Sequence, residues 1–300
     1  MRFGTYYFFQ APPAVSHPDV IRGEIEQMAW TEELGFDSIW LTEHHFIDYG
    51  LSVSPPVLAT AAAMRTRRVR IGLAAAILPF HDPIRLAEEL AMVDILSEGR
   101  LDVGVGRGNR PVEFEGYRVP QIENRERFDE CLAIMLKAWT QERFSFEGRH
   151  YTIPEVRVIP KPLQQPHPPV WGATTSDDGH EMMGRLGLGL CSFAVGVPPD
   201  EIQRKIELYR AAIATCTDPI ASYVHDEAAT FTMACVAPTV EEARETARTS
   251  FEWYPKKGAR QIADVARWMS ERHASLGNYD YAADMQKVDD DGSLDLLSLE

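Results

Sequence analysis

The sequence predicts an α/β protein built as a (β/α)₈ barrel, and three observations carry that expectation. Short apolar runs alternate with longer segments of helical periodicity through the front half of the chain, the rhythm of parallel strands joined by crossover helices. Seven such strands can be counted. The turn after the first, QAPPAVSHPD, contains no glycine, whereas a doubly wound dinucleotide-binding sheet usually shows a glycine-rich turn there.

RFGTYYFF (Arg2 to Phe9) reads as the first strand. Val20, Ile21, Ile25, Met28, Ala29 and Leu34 recur at helical spacing after it, and Gly35 ends that helix. FDSIWL (Phe36 to Leu41) is the second strand, and Pro55 to Met64 a helix with two prolines in its first turn. VRIGLAAAIL (Val69 to Leu78) reads as one long buried strand, PIRLAEELAMVDILSEG as a helix, and RLDVGVG (Arg100 to Gly106) as the next strand. An irregular piece follows, then a helix near Arg125 to Thr140. The segment 144–169, rich in proline and aromatics, is expected to be an excursion from the barrel. PPVWGATT (Pro168 to Thr175) restarts the rhythm. A helix over Asp178 to Leu186, a strand Gly189 to Phe193, a helix Pro199 to Cys216 and a strand Thr230 to Ala237 complete it. The expected organisation is a single domain, 1–300, with the eighth strand missing and a mobile lid over about 254–292, where KKGARQ lies. A barrel short of that strand would expose an edge and lose stability.

A net charge of −15 argues against nucleic-acid or anionic-membrane partners. The four cysteines lack CxxC spacing, and no apolar stretch of membrane-spanning length occurs, so the cytoplasm is the expected location.

In a barrel, WLTEHHF (Trp40 to Phe46) falls at the C-terminal end of the second strand, where barrel active sites gather. Side chains alternate along a strand, so His44 and His45 would not both face one metal ion. The residues alone leave open a catalytic histidine or a packed, hydrogen-bonded one. Ala74 to Ala76 are small enough to admit a planar ligand close to the backbone, or simply to pack. GVGRGN (Gly104 to Asn109) lacks full GxGxxG spacing and is followed by RPVEFEG rather than a helix start, which speaks against a dinucleotide loop. Arg107, just past a strand end, could grip a phosphate or make a surface ion pair. Thr174, Thr175 and Ser176 precede a helix, where hydroxyls and free N–H groups make either an anion site or an ordinary cap.

Together RFGTYYF, GFDSIWLTEHHF, GLAAAILPFHDPIRLAEELAMVDILSEGRLDVGVGRG and PPVWGATTS, in that order up to about Leu190, resemble the bacterial luciferase-like flavin-dependent monooxygenases. The resemblance implies a (β/α)₈ barrel binding FMN, reduced and supplied by a separate flavin reductase. Oxygen would react through a flavin 4a-hydroperoxide to oxygenate a small apolar organic substrate. It implies catalysis by His44 with His45 and Glu43 in support, and a cis peptide at Ala74–Ala75 beneath the ring. Gly106, Arg107, Asn109, Thr175, Ser176 and Gly179 would hold the cofactor, and no metal is implied. A homodimer is implied through the helices Pro55 to Met64 and Pro83 to Ser97. Phe8, Phe46, Phe80 and Phe193 are candidates for the pocket. Gly106 stands where the luciferase catalytic subunit has a cysteine, and Thr175 where it has a glutamate, so a light-emitting pocket is not expected. Two other readings share the fold: a deazaflavin-dependent hydride-transfer enzyme, and a non-catalytic flavin-binding subunit. The latter type lacks the phosphate arginine and alters the histidine motif, while Arg107 and EHH are both present here.

Overall fold

The computed structural model describes residues 1–254, apart from positions 13, 48 and 49. Strands β1 (Gly4–Tyr7), β2 (Ser38–Leu41), β3 (Arg70–Leu73), β4 (Ala76–Ile77) and β5 (Leu101–Gly106) form the first half of one parallel sheet. Its helices are α1 (His17–Glu33), α2 (Pro55–Arg65) and α3 (Pro83–Leu96). After β5 come α4 (Pro111–Tyr117) and α5 (Asn124–Thr140), then an antiparallel pair, β6 (Phe144–Glu147) with β7 (Thr152–Val156), outside the main sheet. Strand β8 (Val170–Thr174), helix α6 (Asp177–Arg185), β9 (Gly189–Phe193), α7 (Pro199–Ile213) and β10 (Ala228–Phe231) follow, and residues 240–254 are helical.

The barrel order is β1-β2-β3-β5-β8-β9-β10, every junction parallel, with β4 pairing β5. Among the described residues these make seven strand positions around a nearly closed barrel. Side chains bridge its remaining seam: the Tyr6 and Phe231 rings stack at 4.1 Å and 8°, and Arg2 pairs with Glu227.

Three expectations need correcting. The long strand Val69 to Leu78 is two pieces, because the Ala74–Ala75 peptide is cis and the chain leaves the ladder there. The piece after Gly106 is not wholly irregular: PVEFEGY forms α4, with Pro111 in its first turn. RPVEFEG is thus a helix start after all, although the incomplete glycine spacing still argues against a dinucleotide loop. Proline at N1 gives up an N–H that no helix turn would satisfy, so it begins a helix rather than breaking one. The last strand ends at Phe231 instead of Ala237. The expected excursion is the β6–β7 hairpin with its flanking loops. Apart from Tyr254, the expected lid lies outside the described residues, as does the tail from Gly277.

Strand β5 is buried along its whole length. A Cβ on Gly104 would lie 1.8 Å from the Leu73 carbonyl oxygen, so only glycine lets β5 come this close to β3. Toward the N-terminal ends of the strands, Asp102 accepts from Arg70 Nε at 2.5 Å, Arg70 Nη2 at 3.0 Å and the Trp171 indole at 3.2 Å. Buried charge is tolerable when so fully paired. Outside the barrel, Leu86, Ala87, Leu90 and Ala91 of α3 are fully buried, and α3 packs on α2 and α5. Asp82 caps this helix, accepting from Ile84 N at 3.0 Å and Arg85 N at 2.9 Å.

Leu90→Ala leaves a cavity on that face and should lower unfolding stability by about 3 kcal/mol. Urea denaturation would read this as an earlier midpoint with an unchanged slope.

Candidate functional site

The segment after β2 carries Thr42, Glu43, His44 and His45 across the C-terminal rim, where the chain is no longer a strand. Strict alternation therefore does not govern the two histidines, and hydrogen bonds orient them instead. Glu43 is 2% exposed and uses both oxygens. Oε1 accepts from His45 Nε2 at 2.8 Å and His81 Nε2 at 2.9 Å, while Oε2 accepts from the Ile77 backbone at 2.8 Å. Burial works to raise the Glu43 pKa, but the hydrogen bonds from His45 and His81 and the His81 charge outweigh it and hold it below its ordinary value. Burial also disfavours charged His81, yet the Glu43 bond and charge prevail and keep its pKa raised.

The two rings are tied differently. His45 gives its Nε2–H to Glu43, so Nδ1 is left facing the Tyr117 hydroxyl at 2.9 Å. His44 turns Nδ1 toward Glu113 Oε1 at 3.2 Å and stacks at 6.1 Å and 10° on Phe8. Its side chain is 17% exposed. Burial depresses its pKa; the Glu113 hydrogen bond opposes that, Arg110 adds to it, and the charges of Glu113 and Glu43 oppose it again.

Beside this group, Ala74 N donates to Leu41 O at 2.7 Å and the Tyr6 hydroxyl donates to Ala74 O, so both backbone polar groups of Ala74 are held where the cis Ala74–Ala75 peptide begins. Gly106, the last residue of β5, leaves space that a Cβ would fill at 3.3 Å from Ala75 Cβ. Four small residues, Ala74, Ala75, Ala76 and Gly106, thus meet at the β3–β5 rim.

Arg107 follows directly. Burial lowers its pKa, Arg125 repels it further, and Asp129 partly compensates. Arg125 in turn reaches α6, donating to Met182 Sδ at 3.1 Å. Ser176 caps α6, accepting from Gly179 N at 3.2 Å; a Cβ on Gly179 would strike Thr174 Oγ1 at 1.8 Å. The Thr175 side is exposed, and its carbonyl accepts from Lys205 at 2.9 Å. Asn109 is exposed and its carbonyl accepts from Gln121 at 3.4 Å. Asp177 is engaged by Arg204 at 2.7 and 2.9 Å. The predicted residues thus form two groups on one rim: Glu43, His44 and His45 at one side, and Arg107 with Ser176 and Gly179 at the other, the small residues lying on the strands between.

Of the pocket aromatics, Phe8 and Phe193 join Tyr6 and Phe231: Phe8 is 4.9 Å from Tyr6, and Phe193 is 4.6 Å from Phe231. Phe46 and Phe80 belong to a separate cluster with His45, Phe114 and Tyr117. Sequence reasoning missed His81, Glu113, Tyr117 and Arg125. Recognising α4 from Pro111 would have placed Glu113 and Tyr117 four residues apart on one face. Arg125 opens the helix NRERF, but nothing local sets it beside Arg107. Among the described residues no cluster suited to a metal ion occurs, and none of their helices is long and apolar enough to cross a membrane.

A family model described as luciferase-like monooxygenase matches residues 1–297. An uncharacterized protein of Sinorhizobium fredii is 36% identical over 219 residues, 67% of this chain and 62% of its own length. The oxygenase component of flavin-dependent trigonelline monooxygenase from Acinetobacter baylyi is 30% identical over 181 residues, 59% of this chain and 50% of that protein. The chain spans 54% to 62% of the length of the first curated relatives it matches. Among solved structures, the monooxygenase RslO1 of Streptomyces bottropensis superimposes with a TM-score of 0.79 at 30% identity, covering 91% of this chain and 82% of its own.

The Glu43–His81 pair sets a pH window. Glu43 stabilises the fold above the ordinary carboxylate value of 4.5 and loses that contribution as pH falls through its depressed folded value. His81 contributes fully below 6.5 and less as pH rises through its raised value. Stability should therefore peak between these two values, and Glu43→Gln should flatten the peak. Removing one partner of a buried pair costs ~3–5 kcal/mol, which urea titrations across pH would measure.

Proposed function

The chain belongs to the luciferase-like monooxygenase family, and on that premise we propose that it is the oxygenase of a two-component system. It takes reduced FMN from a separate flavin reductase and transfers one oxygen atom of O₂ to a small apolar organic substrate. The observation that carries the reading is the pairing, on one rim, of a small-residue floor with two mutually repelling arginines, Arg107 and Arg125. Among the described residues Arg107 has no ion-pair partner within bonding distance, and a dianion between the two guanidiniums would relieve their repulsion. A phosphate bearing a flat ring fits both parts. The oxygenase component from Acinetobacter baylyi supports the assignment of a separate reductase.

When bound, reduced FMN supplies the two electrons that activate O₂. The chain's own groups do the rest. Arg107, Arg125 and the capped start of α6 hold the phosphate. Ala74, Ala75 and Gly106 let the ring lie against the backbone. His44, kept largely neutral near pH 7 by burial, accepts or returns a proton beside the ring. The rings of Tyr6, Phe8, Phe193 and Phe231 keep water from the pocket and give an apolar substrate its contact surface. Val57 and Met64 on α2, with Met92, Ile95 and Leu96 on α3, are exposed; burial of these faces between two copies makes the protein a homodimer. The acidic composition suits a cytoplasmic enzyme.

Arg107→Ala should weaken binding of reduced FMN about 10- to 100-fold, as expected for a lost charge-assisted bond, with anaerobic flavin titration as the readout. His44→Ala should leave that affinity nearly intact and lower product formed per O₂ consumed. Oxygen-independent hydride transfer with a deazaflavin, and no O₂ uptake with reduced FMN, would overturn the reading; FMN binding without any turnover would mark a non-catalytic subunit.

A further inference from the structure

Glu113 is buried in the first turn of α4, 2% exposed, on the connection that also carries Arg107. A carboxylate so placed is costly unless it accepts hydrogen bonds. Its Oε1 takes two from the histidine motif: His44 Nδ1 at 3.2 Å and the His45 backbone N–H at 3.0 Å. An ionised carboxylate only accepts, so the proton of neutral His44 must sit on Nδ1, with the basic lone pair at Nε2. The other tautomer would set a nitrogen lone pair against a carboxylate oxygen. The ring has little freedom to escape, since Phe8 lies parallel to it and the His44 backbone N–H is held by Ser52 O at 3.3 Å. Among the described residues, the charged groups acting on this ring include Glu113 and Arg110 from the α4 side and Glu43 from its own segment; Phe8, on the β1 side, brings no charge.

We propose that Glu113 is a positioning residue for oxygenation, locking His44 in the Nδ1–H tautomer so that proton exchange takes place at Nε2. When Nε2 takes up a proton, the ring becomes an imidazolium and the Glu113 carboxylate pairs with it; no electrons leave the histidine and no bond other than N–H changes. The logic is that of a carboxylate orienting a general base, here supplied from the helix after the fourth barrel strand position. The catalytic part of this inference rests on the oxygenase reading, while the tautomer lock does not.

The test uses the full chain labelled with ¹⁵N-histidine, without flavin, with His44 resonances assigned by comparison with His44→Gln. Long-range ¹H–¹⁵N spectra of the wild type should show His44 protonated at Nδ1 and unprotonated at Nε2 above its titration midpoint. In Glu113→Gln the lost negative charge should lower that midpoint by about one pH unit and admit the second tautomer. The affinity for reduced FMN should stay within about twofold. The acid limb of product yield should move to lower pH by the same shift. An Nε2–H tautomer in the wild type would overturn the proposal, and this arm holds even if the variant folds poorly. Identical His44 titrations in wild type and a folded Glu113→Gln would overturn it equally. If neither protein forms product while the wild type shows the Nδ1–H tautomer and Glu113→Gln shows the lowered midpoint, the oxygenase reading fails and the tautomer lock stands.

Discussion

One buried carboxylate holds the rim of this barrel together. Glu43 leaves the end of β2 and binds the backbone of β4, the ring of His45 and the ring of His81. The strand ladder alone does not reach this far, because β3 stops at Leu73 and β4 resumes only at Ala76. Where main-chain bonding lapses at the cis peptide, a side chain takes over the cross-strand connection. Desolvating that charge is unfavourable, and only the convergence of three donors makes it tolerable. The loop bearing His44 is consequently anchored to β4, beside the small residues.

The pair of histidines that looks symmetrical in sequence is asymmetrical in chemistry. His45 presents its Nε2–H inward to Glu43, and His44 presents its Nδ1–H to Glu113, so the lone pairs lie at opposite ring nitrogens. His45 joins a chain of hydrogen bonds running from Tyr117 through Glu43 to His81. His44 stacks on Phe8 at the margin of the aromatic group formed with Tyr6, Phe193 and Phe231. Glu113 and Arg107 share one short connection after β5, which ties the histidine end of the rim to its arginine end.

What could be read from sequence divides along a physical line. The strand–helix rhythm, the rim position of EHHF and the lone Arg107 are local patterns, and local patterns survive translation into structure. Glu113 is invisible in sequence because its helix is only seven residues long and begins with a proline, a residue equally at home in irregular chain. Arg125 was invisible for another reason: its neighbour Arg107 lies on a different element, and only the barrel brings α5 beside the end of β5. His81 follows the short helical turn Leu78–Phe80 after β4 and is nearly forty residues from its partner Glu43; no periodicity marks such a pair. The break within VRIGLAAAIL could not be read from periodicity or spacing, since Ala74 and Ala75 are as compatible with a strand as with a departure from one.

Gly104 sets a boundary on redesign. Its α-carbon faces the Leu73 carbonyl where a methyl group would sit 1.8 Å from oxygen, at the layer just beneath the small-residue floor. At the rim, Phe8, Phe193 and Phe231 meet other side-chain rings, which can shift to accept a substitution. The alphabet at Gly104 has a single letter, because the atom in the way belongs to backbone and cannot rotate aside. The aromatic rim thus leaves room for change where the strand layer beneath it leaves none.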